Sequence, residues 1–492
     1  MKTMIEKLEK LTGLEIYPAS ASQGAETDYF LARHGEDKFV ISVGPGGIVG
    51  EPTGQLNGKS VTVGPTDHAN AEAIRAALPW TAPHVIGLKC CGGFGDRLGL
   101  ATPGHIRAVR DSGMVPFLAQ QSIREMTRTE RSAEEVMDCA TWGVLQEGYR
   151  DGFGSDADHL QVLADIDVTV AAGFTMFTID PGQHVDNDAD SLDSAGLASK
   201  YAAIDFETLA ITAEDLKAAY VDKSFDLDGG GTVAFDEQSF LRAAVKYGNA
   251  IAHTTKMYRH LVETATAAFE LEVSVDETES PTSTAEHYFF AGELKRLGVE
   301  WVSMAPRFVG RFEKGVDYIG DTDQFTKCFA EHVAVMRTLG PYKMSVHSGS
   351  DKFSIYPIVA KLAGPLVHLK TAGTSYLEAI RAIATIDPSL YREILDFARG
   401  RYETDKATYH VSADVGKVPA AKDLADEELA GLLDDFDTRQ VLHVTFGSVL
   451  TADGGKLFRT RILEALQRAE ETHYDVLQRH LARHVAPFRT QN

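Results

Sequence analysis

Eight short apolar runs, nearly all separated by stretches of helical length, narrow what this chain can fold into. They are VIGLKCC (85–91), MVPFLAQQ (114–121), FTMFTID (174–180), FELEVSVDE (269–277), VEWVSMAP (299–306), YKMSVHS (342–348), PLVHLKT (365–371) and TYHVSAD (408–414). Runs of this length rich in Val, Ile, Phe and Tyr read as buried strands, and amphipathic segments such as SAEEVMDCATWGVLQEGYRDG and AEHYFFAGELKRLG read as the crossover helices that parallel strands require. The expected fold is α/β, a (β/α)8 TIM-type barrel, with a doubly wound open sheet as the alternative.

Other segments sit around this frame. Residues 1–79 form a short helix and then β-prone pieces broken by Gly, Pro and Asn, an expected N-terminal β-rich cap on a barrel domain spanning 80–492. A long insertion, about 181–250, follows the third run; DFDTRQVLHVTFGSVLT (435–451) reads as a further β-prone run; a terminal helix is expected from about Lys456. DLDGGGTVAFDE (226–237) has acidic residues at calcium-loop spacing, but Gly230 stands where a side-chain ligand is needed, and a hairpin leading into a capped helix reads better.

At 492 residues, 44% of them hydrophobic, the chain can bury a large core. Its 48 Lys plus Arg against 71 Asp plus Glu give a formal charge of -23, which repels a phosphate backbone, so nucleic acid is excluded as a partner while a local basic pocket for a small anion is not. Cys90, Cys91, Cys139 and Cys328 match no zinc or redox spacing. With no signal peptide and no apolar stretch long enough for a membrane, the cytoplasm is the expected compartment. The absence of coiled-coil heptads leaves the oligomeric state open, a homo-oligomer included.

In such barrels the chemistry lies at the C-terminal ends of the strands. The third run ends in Asp180, with His184 close behind; the fourth ends in Asp276 and Glu277, the sixth in His347, and the seventh carries His368 and Lys370. Period-two alternation sets Leu271, Val273 and Val275 on one face and Glu270, Glu272, Ser274 and Asp276 on the other, with Lys343, Ser345 and His347, and His368 and Lys370, on the matching polar faces. Imidazoles and carboxylates converging on one mouth point to a divalent metal, with zinc, manganese, nickel and cobalt all suited to mixed N and O donors. GGFGDRLG does not match a dinucleotide fingerprint, so Asp96 and Arg97 are expected to bind substrate instead.

Taken together, GFGDRLGLATPGHIRA, FTIDPGQHVD, VDETESPT, SVHSGSDKFSIYP and LHVTFGSVL resemble the tagaturonate epimerase family. The resemblance implies a metal-dependent interconversion of D-tagaturonate and D-fructuronate, and for some relatives of D-tagatose and D-fructose, acting at C4. It places Asp96, Arg97, Asp180, Asp276, Glu277, His347, Ser348, Asp351 and Lys352 at the active end. With the alternation argument, the expected assignments are His347, His368, Glu277 and Asp180 to the metal and Asp276, Glu277 and Asp180 to the chemistry. Asp96, Arg97, Ser348, Asp351, Lys352 and Lys370 are assigned to the sugar or sugar acid. Because C4 is β to the ketone, retro-aldol cleavage and reclosure is the expected route. A metal-dependent aldolase or lyase on a related keto acid, and a non-catalytic sugar-binding protein, are the alternatives.

Overall fold

The computed structural model describes residues 2–347 and 351–489, so Ser348 lies outside the described residues. Eight parallel strands close into a barrel: β1 (Cys91–Gly93), β2 (Val115–Ser122), β3 (Gly154–Leu160), β4 (Met176–Ile179), β5 (Glu270–Ser274), β6 (Ser303–Ala305), β7 (Lys343–His347) and β8 (Val367–Lys370). Each pairs with its neighbours in sequence, and β8 closes on β1 through His368 beside Cys91 and Lys370 beside Gly93. The closed barrel is the expected fold, and the open sheet is set aside.

Alternation along the strands holds. Leu271, Val273, Met344, Val346, Val367 and Leu369 join the main apolar core between barrel and helices, so Glu272, His347, His368 and Lys370 turn inward. Small barrels usually fill this interior with branched aliphatics. Here it holds buried charge, the strongest departure from fold-level expectation in the molecule.

Two of the eight runs are corrected. TYHVSAD is not a barrel strand; after a single 3-10 turn it crosses the mouth as coil, with the Ser412 and Ala413 amides donating to the Gln440 side chain at 2.9 and 2.6 Å. Its place in the barrel is taken by GSDADHL, which no hydrophobic pattern marks. The long insertion therefore follows the fourth strand rather than the third. The first run also slips: Gly87, at φ 69°, turns the chain, and the strand begins only at Cys91.

The N-terminal region forms a six-stranded antiparallel sheet preceded by the helix Lys2–Thr12. In the insertion, Lys223–Asp226 pairs antiparallel with Thr232–Phe235, and Asp236 caps the helix α1 (Glu237–Thr264), which returns the chain to β5. This is the expected hairpin in place of a calcium loop.

After β8 the chain builds a helical block with its own apolar core from α2 (Thr374–Ile386), the helix Pro388–Asp405, α3 (Phe436–Val444) and the helix Arg459–Arg468. The expected β-prone run 435–451 is thus helical. Asp435 accepts from the Thr438 amide at 2.8 Å, an N-cap that overrides the β propensity of the apolar residues behind it. The expected terminal helix is two, the second being α4 (Glu470–Val485). α4 packs on Thr102–Val109, the helix between β1 and β2, and on α2.

Candidate active site

Five of the eight strands, β3, β4, β5, β7 and β8, contribute to one polar cluster. At its floor the Lys370 ammonium lies 2.9 Å from Asp156, 2.7 Å from Asp158 and 2.7 Å from Glu272, and donates to Thr178 Oγ1 at 2.7 Å. Burial lowers the lysine, but these carboxylates outweigh it and hold Lys370 well above its usual range. The same crowding lifts Asp156 to about 6: burial comes first, opposed by Lys370, and Asp158 and Glu272 add their like charge.

Glu272 bridges two imidazoles. His347 Nε2 lies 2.7 Å from Oε1 and His368 Nδ1 2.9 Å from Oε2. His368 is fully buried, its ring 5.1 Å from that of Phe117, and burial drives it down to about 4, so it is a neutral residue of the interior.

Above this floor, β3 departs from regular pairing. Its register on β4 shifts between Phe177 and Ile179, and His159 takes φ 52°. A bulge of this kind re-aims a side chain. The His159 ring comes to 5.2 Å from the ring of His347, and its Nδ1 lies 3.3 Å from Asp180. Burial would depress both imidazoles; Asp158, Asp180 and Asp276 raise His159 to about 10, and Asp276 and Glu272 raise His347 to about 8.

Ligand-capable atoms of His159, Asp276 and His347 all lie within 4.8 Å of one another. Asp276 is 3.3 Å from His347 and accepts from Ser274 at 2.5 Å. Of the expected metal residues, His347 alone belongs to this group among the described residues. His368 is turned to Glu272 beneath it. Asp180 is occupied by His159, by the Gln161 amide at 2.9 Å and by the Gly182 N–H at 2.9 Å. Glu277 stands at the rim, 3.4 Å from Arg124 and 3.7 Å from Lys314.

The expected substrate residues divide in the same way. Asp96 closes a turn, accepting from the amides of Leu98, Gly99 and Ala101 at 3.1, 2.7 and 2.7 Å, and so starts the helix Thr102–Val109. Asp351 is buried against the helical block, 2.6 Å from Arg439, 2.8 Å from His480 and 3.1 Å from His484. Lys352 is fully buried and donates to the carbonyls of Glu313 and Val316 at 2.8 and 2.5 Å; burial brings its ammonium down to about 7. These residues shape the mouth rather than line it. Arg97 and Lys370 do face it.

The mouth has two lobes. An outer cavity of about 300 Å³ is lined by Asp276, Glu277, His347, Arg124, Arg307 and Lys314; an inner one of about 50 Å³ shares His347, Arg124 and Lys314 and reaches His159, Lys370 and Arg97. The Arg307 guanidinium has no ion pair or hydrogen bond among the described residues. The outer lobe thus sets Arg124, Arg307, Arg311 and Lys314 beside Asp276, Glu277 and Glu313, a local gathering of cations within a chain of charge -23. Sequence reasoning missed His159, Arg124, Arg307 and Lys314. The polar alternation of GSDADHL could have drawn notice to β3, but nothing in the sequence marks its bulge. A wider open cleft of about 560 Å³ lies at the insertion, where His184 stacks on His253 at 4.0 Å; it gathers no such cluster.

Residues 17–488 match the tagaturonate epimerase family. A tagaturonate/fructuronate epimerase of Thermotoga maritima is 42% identical over 476 residues, 96% of each chain. The native crystal structure of a fructuronate-tagaturonate epimerase from Cohnella laeviribosi superposes with a TM-score of 0.91 at 35% identity, covering 99% of both chains. A form of that protein with two glycerols gives 0.92 at 35% identity, covering 100% of this chain and 99% of that one.

Proposed function

The chain belongs to the tagaturonate epimerase family, and from that membership we propose that it interconverts D-tagaturonate and D-fructuronate by inverting C4. The observation that carries the choice of substrate is the rim of Arg124, Arg307 and Lys314 beside the His159–Asp276–His347 cluster, since a uronate differs from a neutral ketose by a carboxylate that such a rim holds.

The donor set fits a divalent metal. Two imidazoles and a carboxylate converge, and the surrounding Asp158, Asp180 and Glu272 leave negative charge in excess of Lys370. Held by His159, Asp276 and His347, the ion would supply Lewis-acid polarisation of the ketose oxygens. Asp180 fixes the orientation of His159, and Glu272 that of His347.

Burial raises Glu277, but Lys314, His159 and Arg124 outweigh it and carry the group below its usual value, so it stands as a carboxylate with a free acceptor for a proton. Glu277 takes the proton of the C4 hydroxyl, the C3–C4 bond breaks, and its electron pair passes into C2–C3 as C4 becomes an aldehyde. The fragments are dihydroxyacetone, as its enediolate, and a three-carbon aldehyde acid. The aldehyde turns its other face, the bond re-forms, and the proton returns to the C4 oxygen. No oxidant is consumed.

The test is chelation and add-back while both uronates and both neutral ketoses are followed by chromatography, with His347→Ala as control. Metal-dependent interconversion of the uronates, lost in the variant, is the expected result. Activity that survives complete metal removal overturns the metal reading, net release of three-carbon products makes the protein an aldolase, and turnover of the neutral ketoses alone overturns the substrate.

A further inference from the structure

The helical block also contributes to the mouth. α3 carries His443 to the inner cavity, where it faces the same space as Arg97, His159, His347 and Lys370. His443 is 2% exposed, and its Nδ1 has no hydrogen-bond partner among the described residues. Arg97 is left in the same condition. Its Nε and Nη2 engage Glu125 at 2.8 and 2.7 Å, its plane is seated 3.6 Å from the Phe446 ring centre, and Nη1 has no partner among the described residues. Buried polar atoms are almost always paired, so two unpaired ones on one cavity beside a reactive cluster mark a place for ligand atoms.

The fit is specific to this arrangement. A Cβ on Gly373 would come 1.9 Å from His443 Cε1, so the ring occupies its position only because residue 373 has no side chain. Burial, then the charges of Arg97, Lys314, Arg439 and Lys352, hold the imidazole well below its usual value and hence neutral. A neutral imidazole offers one donor and one acceptor, the complement of a hydroxyl, whereas Arg307 lines the outer lobe and not the inner, and its guanidinium, unpaired among the described residues, suits a carboxylate.

We propose that His443 and Arg97 form the subsite for the hydroxymethyl-ketone end of the substrate, C1 and C2, with the carboxylate end lying toward Arg124, Arg307 and Lys314. The assignment rests on the epimerase reading. It makes α3 part of the substrate site and fixes the direction in which the sugar lies across the mouth.

The test compares kcat/KM of wild type and His443→Phe on the uronate and on its 1-deoxy analogue. A loss of at least tenfold on the full substrate and under twofold on the analogue is expected, with His443→Asn, which keeps a donor and an acceptor, recovering part of it. Gly373→Ala, which displaces the ring, should reproduce the Phe pattern. Equal losses on both substrates, or none, overturn the proposal. If His443→Phe no longer unfolds cooperatively, His443→Leu carries the same comparison. Titration with dihydroxyacetone needs no turnover. If the wild type leaves the uronates unchanged, the epimerase reading falls, and the titration still decides the subsite: at least tenfold weaker binding in the variant supports it, and equal binding sinks it.

Discussion

At the scale of single residues, the site is a set of charges that cannot be removed independently. His159 is the group the sequence hid, and it is expected to matter as much as His347. On the metal reading proposed above, His159→Ala should lower kcat by a factor on the order of 10³ and weaken uptake of the ion, as the loss of one of few imidazole donors does. Metal content by elemental analysis alongside turnover checks both, and full metal occupancy with normal turnover removes His159 from the site. Arg307 makes the complementary case. Its guanidinium pairs with no other side chain among the described residues, so Arg307→Ala should raise KM for a uronate by about tenfold, the worth of one charge-assisted contact, while leaving a neutral ketose unaffected. A parallel rise for both sugars shows that the residue shapes the pocket instead.

At the scale of elements, the strand ends depend on what braces them. Beyond β7, Asp351 and Lys352 are held from two sides: Asp351 by Arg439, His480 and His484, Lys352 by the carbonyls of the rim loop that carries Lys314. Removing one member of a buried charge network leaves the others uncompensated. Asp351→Asn is therefore expected to cost about 3–5 kcal/mol in denaturant unfolding and to depress activity through the displaced His347. A variant as stable as wild type shows the network to be dispensable.

What the sequence made legible follows from the same physics. Strands whose outward face meets helices carry an apolar period, so Leu271, Val273, Met344 and Val346 announced their inward partners correctly. GSDADHL gave no such signal because small and charged residues dominate it: Asp156 and Asp158 face Lys370, and between them only Ala157 offers the apolar core a side chain. TYHVSAD has a strand's composition, but a barrel of eight has no ninth place. The separation of ligands from the residues around them was not legible at all, because it turns on one bulge and on side chains that the fold brings in from elsewhere.

At the scale of the whole molecule, buried histidines set the acid limit of stability. Burial pushes His105, His332 and His473 each down to about 4, from an unfolded value near 6.5. Their folded values are depressed, so the unfolded chain takes up protons first as pH falls. Stability is thus full above about 6.5 and drains away between there and about 4. Each group adds a slope of up to about 1.4 kcal/mol per pH unit in that window. His159 and His347, whose values are raised, lose their contribution above the window, as pH climbs through about 8 and 10, while Asp156, lifted to about 6, is protonated first in the folded state and offsets part of the histidines' loss. Urea unfolding in the presence of chelator at pH 7 and pH 5 should show a marked drop, and equal stability at the two contradicts the linkage. Among the described residues no helix is long and apolar enough to cross a membrane.

α4 closes the structure on itself. Its first residue, Glu470, meets Arg33 at 2.9 Å and Lys38 at 3.4 Å in the N-terminal sheet, and its later His480 reaches Asp351 across 129 positions of chain. A ribosome delivers a polypeptide from one end only. Asp351 gains its anchors, His480 and His484, only when the chain has grown 129 positions and more beyond it, so a chain that stops short of them carries every group of the reactive cluster and lacks this brace.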